Sequence, residues 1–253
     1  MKQHVTQVLK LEGTPVPPKE ELKRLFDLWA NKHPLHSHPY LDNIFDPRND
    51  DVAARNRFAE VLYRFCECFH DCCLAIAANT HDEDIRRALV VNLYDEYGQG
   101  VKERGHLFLM RRLMHSLGYT DADLDGIHLN PGAQDFMDEI LRYCREEDTL
   151  KAVGCICIGA ECNGSLYFRK MHDAFKQKPS LSNADLYILE IHAGDDIEHR
   201  EHMFALVEPY LDSAESRRSI HEGFLASINL FQDLWTSMGY YEDSPEVVVH
   251  GLS

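Results

Sequence analysis

His192, Asp196 and His199 have the residue types and the spacing of a metal-binding helix face. Imidazole and carboxylate are nitrogen and oxygen donors suited to iron, manganese or zinc. At 3.6 residues per turn the three positions fall within ~60° of one another. Leu189 precedes them on the same face and Met203, Leu206 and Tyr210 follow, so the stripe is one that packs inward. An ionisable group in such a stripe costs several kcal/mol to desolvate unless it is paired or metal-bound.

Three more groups break apolar stripes elsewhere. Glu161 interrupts the series Gly154, Cys157, Gly164, Phe168, Met171 and Phe175. Glu96 ends the stripe of Ile85, Leu89 and Leu93, and His106 opens that of Leu109, Met110, Leu113 and Leu117. A lone inward histidine is ordinarily a hydrogen-bonded core residue, and a lone glutamate ordinarily finds an arginine. Three imidazoles and three carboxylates on four such stripes instead make a complete ligand set for two divalent metals in a helical bundle. The absence of thiolate disfavours structural zinc, and imidazole disfavours magnesium and calcium. Iron or manganese remains, with iron better suited to oxygen chemistry. Ferritin-like proteins use Glu-x-x-His on each of two helices. Here Glu103-Arg104-Gly105-His106 supplies one such motif, and His192-x-x-x-Asp196-x-x-His199 stands in place of the other.

Helices must position all six groups. Phe58, Val61, Leu62, Phe65, Phe69 and Ile76 recur at helical spacing, and long helices are expected over 148–175 and 184–210. A last helix carries Ile220, Phe224, Ile228, Phe231, Trp235 and Met238. No segment alternates with period two for long. The expected fold is a single all-α domain of seven or eight helices over 19–253, after an irregular segment 1–18 closed by Pro15, Pro17 and Pro18. With 253 residues, 44% of them hydrophobic, the chain can bury a full core. A formal charge of −16 argues against a nucleic-acid surface. No apolar run approaches the ~20 residues of a membrane span, and the N-terminus lacks a signal-peptide apolar region, so a cytoplasmic protein is expected. The eight cysteines sit mostly in helix-like apolar segments and read as core residues.

The motifs together resemble those of the heme-oxygenase-like diiron oxidases, relatives of the thiaminase and pyrroloquinoline-quinone-synthase fold. The resemblance spans about residues 51–240 and rests on four elements in order. These are Asn92-Leu93-Tyr94-Asp95-Glu96-Tyr97-Gly98-Gln99-Gly100, His106, Glu161 and the His192/Asp196/His199 helix. It implies a heme-oxygenase-like bundle that binds two Fe(II) ions through Glu96, His106, Glu161, His192, Asp196 and His199. It implies O2 as co-substrate and a small amine, amino-acid or fatty-acid substrate, with N-oxygenation, oxidative C–C cleavage or decarboxylation as outcomes. In some members the third-helix carboxylate lies nearer the histidine, which would select Glu103, and some add a carboxylate from the preceding helix, where Glu67 stands. The competing reading is a metal-independent, thiaminase-like hydrolase with Cys157 or Cys162 as nucleophile beside Glu161. A non-enzymatic protein that keeps only the fold is a third. The expected partner is a small-molecule substrate, with homodimerisation left open.

One spacing carries its own structural expectation. On an unbroken helix Glu96 and His106 would stand ~15 Å apart along the axis and ~80° apart around it. Ions of a dinuclear site lie only ~3.5–4 Å apart. The stretch holding Gly98, Gly100 and Gly105 is therefore expected to bend or unwind.

Overall fold

The computed structural model describes the backbone of residues 15–32, 34–46, 48–49, 51–178, 180–194 and 196–240, and the side chains of these except 29–32, 34, 36, 162, 163, 165, 166, 194, 196–200 and 240. Among the described residues there are twelve α-helices and no strand. They are α1 (Lys19–Lys32), α2 (Pro39–Ile44), α3 (Val52–Asn79), α4 (Glu83–Glu96), α5 (His106–Ser116) and α6 (Asp121–Asp125). Then come α7 (Pro131–Glu146), α8 (Thr149–Val153), α9 (Glu161–Lys176), α10 (Asn183–Gly194), α11 (Asp196–Val207) and α12 (Ala214–Tyr240). The other long helices are those that the apolar periodicity marks, but the stretch 148–175 holds α8, a π turn and α9, and 184–210 holds α10 and α11 in place of one helix each. With these divisions, and with α2 and α6 too short for periodicity to declare, the count exceeds eight.

Helix ends follow local chemistry. Asp51, Asp82, Asn130 and Asp148 cap α3, α4, α7 and α8 with side-chain oxygens, and Thr120 with Asp123 forms a reciprocal capping box on α6. Gly118, at φ +101°, ends α5 in the left-handed conformation. Asp82 does more than cap. It accepts from the backbone N–H of Asp84 and Ile85 at 2.9 and 3.2 Å, and from the Tyr210 hydroxyl at 2.7 Å. The Tyr210 bond holds its carboxyl below the ordinary carboxylate range. Asp82→Ala is expected to cost about 1–2 kcal/mol in urea unfolding near neutral pH. Because the folded-state pKa is lowered, this contribution is present above the unfolded-state value and fades as pH falls through the folded one. The variant and parent curves should therefore converge in acid.

The core is aromatic where α3, α7, α9 and α12 meet. Phe58 stacks on Trp235 at 5.3 Å, Tyr167 meets Trp235 edge-on at 5.7 Å, and Phe231 lies 4.9 Å from Phe136. Burial of each such ring contributes about 1.5–3 kcal/mol. Between α8 and α9 the helix widens into a π turn over Gly154–Ala160. It packs on α12 so closely that a Cβ on Gly154 would lie 2.2 Å from the Ile220 carbonyl oxygen. The reciprocal Gly223 would clash with Lys151 at 1.9 Å. Glu161 is the first residue beyond the π turn, a feature that often accompanies functional sites. No helix of the described residues is long and apolar enough to cross a membrane.

Candidate metal centre

The helix carrying Glu96 does break. Glu96 is the last residue of α4 and His106 the first of α5. Between them Gly98, Gln99 and Gly100 take φ values of +71°, +55° and +83°, a left-handed turn that reverses the chain. His106 Nδ1 thereby comes to 2.8 Å from Glu96 Oε2, with both residues 6% exposed. Glu103 is exposed on the connecting turn. Of the two carboxylates considered for this position, the fold brings Glu96 to His106.

His192, in the last turn of α10, completes a cluster. One donor atom each from Glu96, His106 and His192 lies within 4.8 Å of the others. The His106 and His192 rings meet edge to face at 4.7 Å, and Phe168 of α9 stacks on His192 at 4.3 Å. His192 Nδ1 lies 2.8 Å from the Ile188 carbonyl oxygen. A carbonyl only accepts, so Nδ1 carries the proton and Nε2 is left as a lone-pair donor, the tautomer a metal ligand needs. Burial alone would raise the Glu96 carboxyl, but the imidazoles of His106 and His70 outweigh it and hold the group well below the ordinary range. Glu96 is thus an anion at the centre of imidazoles.

The geometry fits a metal better than a simple ion pair. His106 Nδ1 is buried without a hydrogen-bond partner although it stands 2.8 Å from Glu96 Oε2. The two atoms are close but not aligned for donation, as neighbouring donors are when both face a common point. Glu161 lines the same cavity of about 50 Å³ together with Glu96, His192, Phe65, Phe69 and Phe168. The backbone of Asp196 and His199 belongs to α11, and their side chains lie outside the described residues.

His70 escaped the sequence analysis. It lies on α3, is 4% exposed, and its Nε2 is 3.1 Å from Glu96 Oε2. The available signal was its place in the series Leu62, Cys66, His70 and Cys73, which runs beside the more obvious aromatic stripe. Glu67, by contrast, pairs with Arg64 at 2.9 Å. Seven cysteines, Cys66, Cys68, Cys72, Cys73, Cys144, Cys155 and Cys157, are buried free thiols. Burial, with Glu161 adding to it, pushes the Cys157 thiol far up, the reverse of what a nucleophile needs. The side chain of Cys162 lies outside the described residues.

A heme-oxygenase-like helical fold enclosing a buried glutamate–histidine cluster defines a class, and the comparisons agree with it. The chain belongs to the family of iron-containing redox enzymes, whose model matches residues 56–232. It is similar to the 4-chloro-allylglycine synthase of Streptantibioticus cattleyicolor, with 24% identity over 199 residues that cover 78% of this chain and 75% of the relative. Among solved structures it resembles a CADD-like protein of unknown function from Nostoc punctiforme (TM-score 0.69, 16% identity, 89% of this chain and 100% of that one). It also resembles a domain of unknown function with a heme oxygenase-like fold from Shewanella denitrificans (TM-score 0.68, 12% identity, 90% and 94% covered). These two likenesses bear on the fold.

Proposed function

We propose that this chain is an O2-activating, non-heme diiron oxygenase or oxidase. Its substrate is a small molecule derived from an amino acid or amine, which it N-oxygenates, cleaves at a C–C bond or decarboxylates within a biosynthetic pathway. The observation that carries the reading is the convergence of Glu96, His106 and His192 within 4.8 Å, with His192 oriented by its Nδ1–H bond to the Ile188 carbonyl. The relative named as a synthase of an amino-acid derivative supports the substrate class.

Glu96, His106 and His192 would hold one side of the metal pair, and Glu161, Asp196 and His199 would complete it. Bound iron would supply the electrons and Lewis acidity for reaction with O2. The protein orients the ligands and limits water. Ile188 fixes the His192 ring through its carbonyl, and Phe65, Phe69 and Phe168 wall the cavity. A space of about 50 Å³ suits ions and a diatomic gas, since a cavity needs only about 10–15 Å³ to hold one water.

Anaerobic Fe(II) reconstitution followed by elemental analysis is expected to give about two irons per chain, as a set of three histidines and three carboxylates predicts. Saturation at one iron would count against the dinuclear site. Stopped-flow mixing of the loaded protein with O2 across a panel of amino acids should then show a transient absorption band with particular substrates. No O2 consumption with any of them would reject the oxygenase reading.

A further inference from the structure

We propose that His70 is a positioning residue of the metal centre, donating Nε2–H to Glu96 Oε2 to fix that carboxylate without ligating metal. The inference rests on the metal-binding reading of Glu96, His106 and His192. Two imidazoles contact the same carboxylate oxygen in different ways. His70 Nε2 makes an aligned hydrogen bond at 3.1 Å. His106 Nδ1 is closer, at 2.8 Å, yet is buried without a hydrogen-bond partner. The donor atoms that converge within 4.8 Å are those of Glu96, His106 and His192, and His70 is not among them. The arrangement divides the labour: His106 shares a metal-facing point with Glu96, while His70 binds the carboxylate from outside.

Glu96 has reason to need such support. It is the last residue of α4, with only Tyr97 between it and the left-handed turn, so the helix does not continue past it to hold its position. His70 reaches it from the middle of α3, a helix of 28 residues. The His70 ring lies 4.8 Å from that of Tyr97, the residue after Glu96, which pins the imidazole against the segment it steadies. Glu67, nearly one turn earlier on α3, is engaged by Arg64. Hydrogen bonds to metal ligands from such outer groups typically carry about 10–100-fold in metal affinity.

Titration of the apoprotein with Co(II), followed by its d–d absorption, tests this without any turnover. His70→Ala is expected to weaken Co(II) binding by about 10–100-fold while leaving the band positions as in the parent. His70→Gln keeps an N–H at similar reach and should recover most of the affinity with the same bands. If His70→Ala does not fold, His70→Asn replaces it, because its shorter amide cannot span the gap. Altered bands in both the Ala (or Asn) and Gln variants would make His70 a ligand and overturn the proposal. Unchanged affinity in the Ala or Asn variant would overturn it in favour of a packing role. A parent protein whose Co(II) spectrum does not depend on His106 would instead overturn the metal-centre reading, and this inference with it.

Discussion

His192→Ala is expected to abolish O2 reactivity of the Fe(II)-loaded protein and to lower metal affinity by about 100-fold or more, while far-UV circular dichroism of the apoprotein stays close to the parent's. The imidazole converges with Glu96 and His106, and its Nδ1 proton is committed to Ile188. Its loss therefore removes one of the three converging donors. The fold should tolerate the change because His192 is only half-buried and the Ile188 carbonyl can accept from water instead. The same result is expected for His199→Ala, on the proposal that His199 serves the second iron. Reactivity measured by oxygen electrode and helicity measured in parallel separate the alternatives. Unfolding of the His192→Ala apoprotein would make the histidine a structural residue and remove one corner of the proposed site.

What the sequence disclosed follows from which signals are periodic. The helical stripes were legible because polar residues alternate with apolar ones at 3.6-residue spacing. The break between Glu96 and His106 was legible as well, because three glycines lie where two separated groups have to meet. The π turn was not. Gly154–Ala160 is composed wholly of small and apolar residues and is buried throughout, so no polar position exposes the change of phase. His70 was missed for a related reason. A single histidine on a buried face looks the same whether it satisfies the core or steadies a carboxylate on another helix, and only the 3.1 Å contact to Glu96 tells them apart. Glu103 shows the opposite error that motif spacing invites. Glu-x-x-His places two groups on one face of a continuous helix, but here the first lies on a separate exposed turn before α5 begins.

Gly98→Ala is expected to be the most damaging small substitution near the site, and Gly100→Ala a mild one, although both glycines have positive φ. At Gly98 a Cβ would lie 2.4 Å from the Gly105 nitrogen and 2.6 Å from the Arg104 carbonyl carbon, both backbone atoms that cannot turn aside. At Gly100 nothing lies within 4 Å of the added carbon. The left-handed conformation costs an alanine about 1–2 kcal/mol at either position. Reduced freedom of the unfolded chain returns about 0.4–1 kcal/mol. Gly100→Ala should thus lose about 0–1.6 kcal/mol. Gly98→Ala adds an overpacking cost of about 1–3 kcal/mol and can relieve it only by moving Arg104 and Gly105 away. His106 follows Gly105 directly, so that relief draws Nδ1 away from Glu96. The two variants should therefore differ in both urea midpoint and metal affinity, with only Gly98→Ala losing metal by more than its stability loss explains. Equal metal affinity in the two would mean that this turn connects α4 to α5 without setting the geometry of the centre.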